Sequence, residues 1–154
     1  MSARSTRPVD RELGEHVALK VLRPESAGRE RELQRFRREV QLARKVTHPN
    51  VCRLFEFLHD VEAPTARQAP FSLVVMELLE GDTLTQRLDR VGALSPEDTL
   101  PIVRQIAAAL EAAHRAGIVH RDLKSSNVML VPTAQGERAV VTGLWSRAFR
   151  STSG

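Results

Sequence analysis

The stretch His120–Asn127, "HRDLKSSN", sets a carboxylate at Asp122, an ammonium at Lys124 and an amide at Asn127. A carboxylate within reach of a hydroxyl can accept or orient its proton. An ammonium can neutralise charge that builds on a transferring anionic group. An amide oxygen is a hard ligand suited to magnesium. The bland alternative is a charged surface turn after a helix. A second cation lies far upstream, Lys20 in "HVALKVL". Alternation along a strand puts Ala18 and Lys20 on one face. Taken alone, a lysine in a strand is more often an edge charge than a ligand.

The elements around these residues follow from pattern. His16–Leu22 is β-rich and alternates, and Arg29–Val46 is helical, with Leu33, Phe36, Val40, Leu42 and Ala43 near helical spacing. "THPN" breaks this helix, because Pro49 disfavours helical dihedrals at His48. Val51–His59 and Phe71–Leu78 read as strands joined by the polar loop "DVEAPTARQAP". Gly81 and Asp82 open a short helix to about Arg90. The clearest helix is Ser95–Ala116, with Ser95 as N-cap, Pro96 at the first helical position and Gly117 as its stop. Its apolar stripe is Ile102, Ile106, Leu110 and Ala113. A turn around Pro132–Gly136 and a strand at Arg138–Val141 follow, and the terminal "RSTSG" reads as disordered.

Composition narrows the function classes. A chain of 154 residues with 42% hydrophobic and 27% charged residues is sized for one domain. The net charge of +4 comes from arginines mixed with glutamates, as in "RERELQRFRREVQLARK", which reads as a solvated helix face. With 4% aromatic residues there is no base-stacking surface, so no nucleic-acid partner is expected. The single cysteine, Cys52, excludes an internal disulfide, fits a reducing, cytoplasmic setting, and reads as packing rather than nucleophile. No apolar run reaches the length of a membrane span, and the first ten residues lack the apolar core of a secretory signal.

"HRDLKSSN" resembles the catalytic loop of the eukaryotic-like, bacterial-type serine/threonine protein kinases, in which an Asp is followed five residues later by an Asn. The motif does not stand alone. "VALK" resembles the kinase strand whose Lys reaches the α- and β-phosphates, and "THPNVCRLFEF" resembles the link from helix to strand. "LVVMELLEGDTL" resembles the strand that leads into the hinge. The resemblance runs from about Asp10 to Thr142. It implies an α+β, two-lobed protein-kinase-like fold that is partial, with a small lobe lacking its first strands and only the start of the large lobe. The expected organisation is an aberrant or disordered segment at 1–10 and a partial kinase domain at 11–142. The small lobe would span about 11–80 and the large-lobe portion about 81–142. An aberrant or disordered tail would occupy 143–154.

The resemblance also implies roles. Asp122 would handle the proton of a substrate hydroxyl, Lys124 the transferring charge, and Asn127 a magnesium ion, with His120 and Arg121 positioning the loop. Lys20 would bind phosphates and pair with Glu39. Glu30 and Glu32 compete for that pairing, but Glu39 lies deeper among apolar neighbours. Ala18 would leave room for adenine, Met76 would be the gatekeeper, and backbone groups of Glu77 and Leu79 would bind the base. The implied cofactors are ATP and Mg2+, the substrate a protein Ser or Thr, and Lys124 favours Ser/Thr over Tyr.

Three parts of the family pattern are absent. "MSARSTRPVD" has no glycine where a Gly-rich loop belongs, Gly143-Leu144-Trp145 stands where Asp-Phe-Gly should follow Thr142, and the activation segment and the rest of the large lobe are missing. The genetic code offers an account. Written as degenerate codons with one G deleted at the start, Gly143–Ala148 together with the first base of Phe149 can be reread as Asp-Phe-Gly-Leu-Ala-Arg. Removal of one base just before the Asp10 codon permits Gly-Glu-Val-Tyr-Ala-Ala-Arg upstream, a weaker match because Glu requires an AGR codon for Arg4 and more bases are chosen freely. The expectation is two out-of-frame ends around an intact middle, with negligible kinase activity. The rival is a pseudokinase-like fragment that binds nucleotide or protein without catalysis; a fragment without function is a third reading. An open sheet edge at His16–Leu22 and an under-covered helix Ser95–Ala116 predict poor solubility.

Overall fold

A computed structural model describes residues 5–6, 16–22, 29–61 and 71–144. The loop "RPESAG", most of "DVEAPTARQAP" and the tail from Trp145 onward lie outside the described residues. So do the side chains of Glu30, Glu32, Leu33 and Phe36. The elements run β1 (Ser5–Thr6), β2 (Val17–Leu22), α1 (Arg29–Ala43), β3 (Leu54–Val61), β4 (Phe71–Glu77), β5 (Asp82–Thr83) and α2 (Leu84–Val91). They continue as α3 (Pro96–Arg115), a 3-10 turn at Ser125–Asn127, β6 (Val128–Thr133) and β7 (Gly136–Val141).

Among the described residues there are two antiparallel sheets, one ordered β1-β2-β4-β3 and the other β5-β6-β7. In the first, Ala18 lies opposite Met76 and Lys20 opposite Val74. Directly opposed residues share a face, so the fully buried Val74 marks that face as the core side. The edge expected to be open at β2 is partly closed, because Ser5 and Thr6 pair with Lys20 and Leu19. Extended backbone can satisfy a ladder whatever its side chains, so this pairing needs no sequence motif.

α1 ends at Ala43, three residues before the expected Val46. Two i→i+3 bonds, from Lys45 N–H to Leu42 and from Val46 N–H to Ala43, tighten the exit. Val40 and Ala43 are buried, whereas Leu42, expected on the same stripe, is 39% exposed. It sits two residues from Val40, about 200° around the helix, and so turns away from the core.

α3 starts as expected: the Ser95 hydroxyl accepts from Asp98 N–H at 3.1 Å and Pro96 occupies the first turn. Pro101 lies inside this helix, and both it and Glu97, whose carbonyl loses its i+4 donor, face solvent. Gly117 adopts φ 77°. There Ile118 N–H bonds Ala113 and Gly117 N–H bonds His114, the two-bond Schellman ending. Ile102 and Ala113 of the expected stripe are buried with Ala109, while Ile106 and Leu110 are half-buried.

The core is continuous between the sheets. Val40, Leu54 and Val74 cluster with Ala113, Val140 and Val141. Leu144, expected in the aberrant tail, is buried in the same cluster. The link after α1 is stitched directly to β7: Val141 N–H donates to Asn50 at 2.8 Å and Cys52 N–H donates to Val141 at 2.9 Å. Asn50 Nδ2 donates to Gln105 Oε1 and to the Ala139 carbonyl, each at 2.8 Å. Gln105 Oε1 also accepts from Ala139 N–H at 2.9 Å.

Candidate active site

The loop leaving α3 is built around a buried imidazole. His120 is 4% exposed and its Nε2 lies 2.8 Å from the Thr142 carbonyl. A carbonyl only accepts, so Nε2 carries the proton and Nδ1 is free to accept from Asp122 N–H at 3.3 Å. Arg121 between them has φ 58°, a left-handed conformation that costs a non-glycine residue about 1–2 kcal/mol. Such strain persists only where the surroundings enforce it.

Asp122, Lys124 and Asn127 come together as expected. Asn127 Nδ2 donates to the Asp122 carbonyl at 2.8 Å and reaches its Oδ2 at 3.5 Å. Lys124 Nζ is 3.7 Å from the same Oδ2. The amide nitrogen of Asn127 is thus committed to Asp122, which leaves Oδ1 as its outward acceptor. The end of β7 is tied in by Thr142, whose N–H and hydroxyl both donate to the Asn127 carbonyl, at 2.8 and 3.2 Å. Thr85 of α2 adds a hydroxyl contact to Ser125 at 2.7 Å.

On the first sheet, Ala18, Lys20 and Met76 share the core-side face, with Ala18 directly across from Met76. Burial pulls the Lys20 ammonium below its ordinary pKa of 10.5 by stripping its hydration. Glu39 is half-buried on α1. The expected Lys20–Glu39 pair is not made: among the described residues no ion pair joins them. Leu79 is half-buried and packs on the core. Of the Glu77 backbone groups, which the resemblance gave to adenine without choosing between them, the N–H donates to the Arg53 carbonyl at 2.9 Å. Its carboxylate binds Arg138 Nη2 at 2.7 Å, a contact that sequence reasoning missed because the partner lies 61 residues away.

The two implied ligands fit unequally. A half-buried ammonium beside a small residue suits an anionic, flat-ended ligand such as ATP, with Lys20 on the phosphates. Magnesium asks for near-octahedral hard oxygens, with one or two carboxylates among them. Asn127 offers one neutral oxygen, and Gly143 follows Thr142 with φ 76° and no side chain to add another. Among the described residues no group of three or more His, Cys, Asp or Glu is placed to hold a metal. The described residues therefore do not complete a magnesium site.

The protein kinase domain profile matches residues 2–140, most of the chain. Serine/threonine-protein kinase PknA of Mycobacterium tuberculosis is 35% identical over 127 residues, covering 82% of this chain and 29% of PknA. The probable serine/threonine-protein kinase SCO3848 of Streptomyces coelicolor is 39% identical over 130 residues, covering 82% of this chain and 18% of that protein. The crystal structure of the M. tuberculosis PknI kinase domain superposes with a TM-score of 0.74 at 28% identity, covering 93% of this chain and 54% of that one. The chain belongs to the protein kinase family, and its relatives are bacterial serine/threonine kinases. Its α+β architecture is a partial kinase fold that spans about half of the solved kinase chain and under a third of these curated relatives. Among the described residues no helix is long and apolar enough to cross a membrane.

Proposed function

We propose that this chain carries the nucleotide face and catalytic loop of a cytoplasmic serine/threonine protein kinase but, as written, transfers the ATP γ-phosphoryl group to protein hydroxyls at a negligible rate. The observation that carries the reading is the asymmetry of the site. Lys124 and Asn127 each lie within 3.7 Å of Asp122, while Gly143 brings no carboxylate beside them. In this reading Asp122 orients the acceptor hydroxyl, Lys124 offsets phosphoryl charge, and Lys20 holds phosphates. Met76, Ala18 and the Glu77 and Leu79 backbone receive adenine. Phosphoryl transfer rests on positioning and charge compensation. Losing one preorganised stabilising group costs about 2.7–4 kcal/mol, some hundredfold to a thousandfold in rate.

Restoring the carboxylate tests this directly. Asp tolerates left-handed backbone better than most residues, so Gly143→Asp suits the observed φ. The native chain should be stabilised against heat by ATP to the same extent with and without magnesium. Gly143→Asp should make that stabilisation magnesium-dependent. Robust magnesium-dependent phosphorylation of a generic Ser/Thr peptide by the unaltered chain would overturn the reading.

The ends belong to the same proposal. Leu144 already occupies the core, as an apolar residue following a metal-binding Asp would, and one deleted base before it permits Asp-Phe-Gly. Sequencing genomic DNA across the codons for Val9–Asp10 and Thr142–Gly143 decides between a misread kinase, a decaying gene and a nucleotide-binding pseudokinase. Shifted frames that encode neither motif favour the last.

A further inference from the structure

Arg138 belongs to β7, yet its guanidinium reaches across to the other sheet. Nη1 donates to the Pro49 carbonyl at 3.0 Å and Nη2 to Glu77 Oε1 at 2.7 Å. The second Glu77 oxygen accepts from Arg53 N–H at 3.2 Å, and Glu77 N–H returns a bond to the Arg53 carbonyl. Three separate segments therefore close on one ion pair: the link after α1, the end of β4, and β7. The two side chains are only 30% and 25% exposed, so solvent screens them less than a surface pair. Only residues 78–81 connect β4 to β5, the covalent bridge between the sheets. A planar fork suits this place, because Nη1 and Nη2 each meet an acceptor on a different segment and a rigid guanidinium holds both directions at once, whereas a compact ammonium on a flexible stem is not pre-organised to do so.

We infer that Arg138 and Glu77 form an electrostatic latch across the two sheets that fixes the backbone of residues 77–81, making Arg138 a positioning residue for nucleotide binding. The nucleotide half of this inference rests on the function proposed above. The mechanical half does not. With the latch closed, the chain that would meet the base is ordered before the ligand arrives, so binding does not have to order it. With the latch opened, the Glu77 carboxylate loses its charged partner and the bridge gains freedom.

The test uses the full chain and four variants: Arg138→Gln, Arg138→Lys, Glu77→Gln and, as a control, Arg115→Gln. The control removes only an exposed pair with Glu111. Amide hydrogen exchange is followed in peptides covering 74–83 and 48–54, and ATP affinity is measured without magnesium. Global stability is measured separately by thermal melting, since a residue that merely supports the fold would lower protection everywhere. Arg138→Gln and Glu77→Gln should raise exchange in those two regions selectively and weaken ATP about tenfold, 1.4 kcal/mol. Arg138→Lys should fall between them and the native chain, and Arg115→Gln should match the native chain. Unchanged exchange in 74–83, or tighter ATP binding, overturns the latch. If the native chain binds no ATP, the nucleotide reading fails, and exchange alone decides the mechanical half. If Arg138→Gln does not fold, Glu77→Gln and Arg138→Lys carry the same comparison.

Discussion

If Lys20 holds phosphates as proposed, it sets stability against function at a single side chain. Its ammonium is desolvated on the core-side face, and among the described residues no ion pair joins it to Glu39. An apolar chain of similar length should be better tolerated there. Lys20→Met is expected to stabilise the fold by about 1 kcal/mol, a gain of roughly 2–4 °C in Tm, while abolishing stabilisation by ATP. A lowered Tm together with retained ATP stabilisation would show that the lysine is structural. Cys52 behaves oppositely. Burial first, and then the Glu77 charge, push its thiol from 9.0 to about 12, although Arg138 pulls it back. In the folded chain the thiol stays protonated while the unfolded thiol ionises. Its contribution to stability is therefore complete below pH 9 and is lost as pH rises toward 12. Between pH 8 and 10 the stability of the native chain should fall more steeply than that of Cys52→Ala. Iodoacetamide at pH 8 should leave Cys52 unmodified until the chain unfolds. Rapid alkylation of the folded chain would contradict its burial.

At the scale of elements, one close approach fixes how the bridge meets the second sheet. A Cβ on Gly81 would lie 2.1 Å from the Leu130 carbonyl oxygen, and backbone cannot yield as a flexible side chain would. Gly81→Ala should cost about 1–3 kcal/mol, read as a lowered denaturation midpoint, with the β5–β6 pairing of Asp82 and Leu130 the first to loosen. A midpoint within error of the native chain would mean that the sheet moves freely there. Helix ends were legible in sequence where a residue type has one local job: Ser95 caps, Pro96 starts, Gly117 stops. The β6 strand was not, because "NVMLVPT" follows the loop directly and becomes a strand only by pairing with both β5 and β7. Leu42 was misplaced for a related reason, since periodicity within one helix cannot say which edge of its stripe the core will cover.

For the whole molecule, the decisive feature is apolar surface. Leu100 and Val103 of α3 are 50% and 51% exposed, and Val119, just before the His120–Asn127 loop, and Leu123, within it, are 57% and 44% exposed. Exposed apolar patches drive association. The purified chain should therefore elute above its 17.2 kDa monomer mass, and a Leu100→Glu, Val103→Lys double substitution should shift it toward monomer. A sharply melting monomer at micromolar concentration would remove the premise. The partial closing of the β2 edge by Ser5 and Thr6 lowers one hazard without touching this one.

The sequence by itself determined the family, the ends of α3, the order of the motifs, and the assembly of Asp122 with Lys124 and Asn127. These depend on local chemistry, with the site residues lying five positions apart on one loop. Only the tertiary structure decided that Lys20 and Glu39 do not pair, that the Glu77 N–H is already taken, and that Arg138 reaches Glu77 and Pro49. Those contacts join residues that local chemistry does not bring together, and an ion pair 61 residues apart exists only once two sheets have been docked.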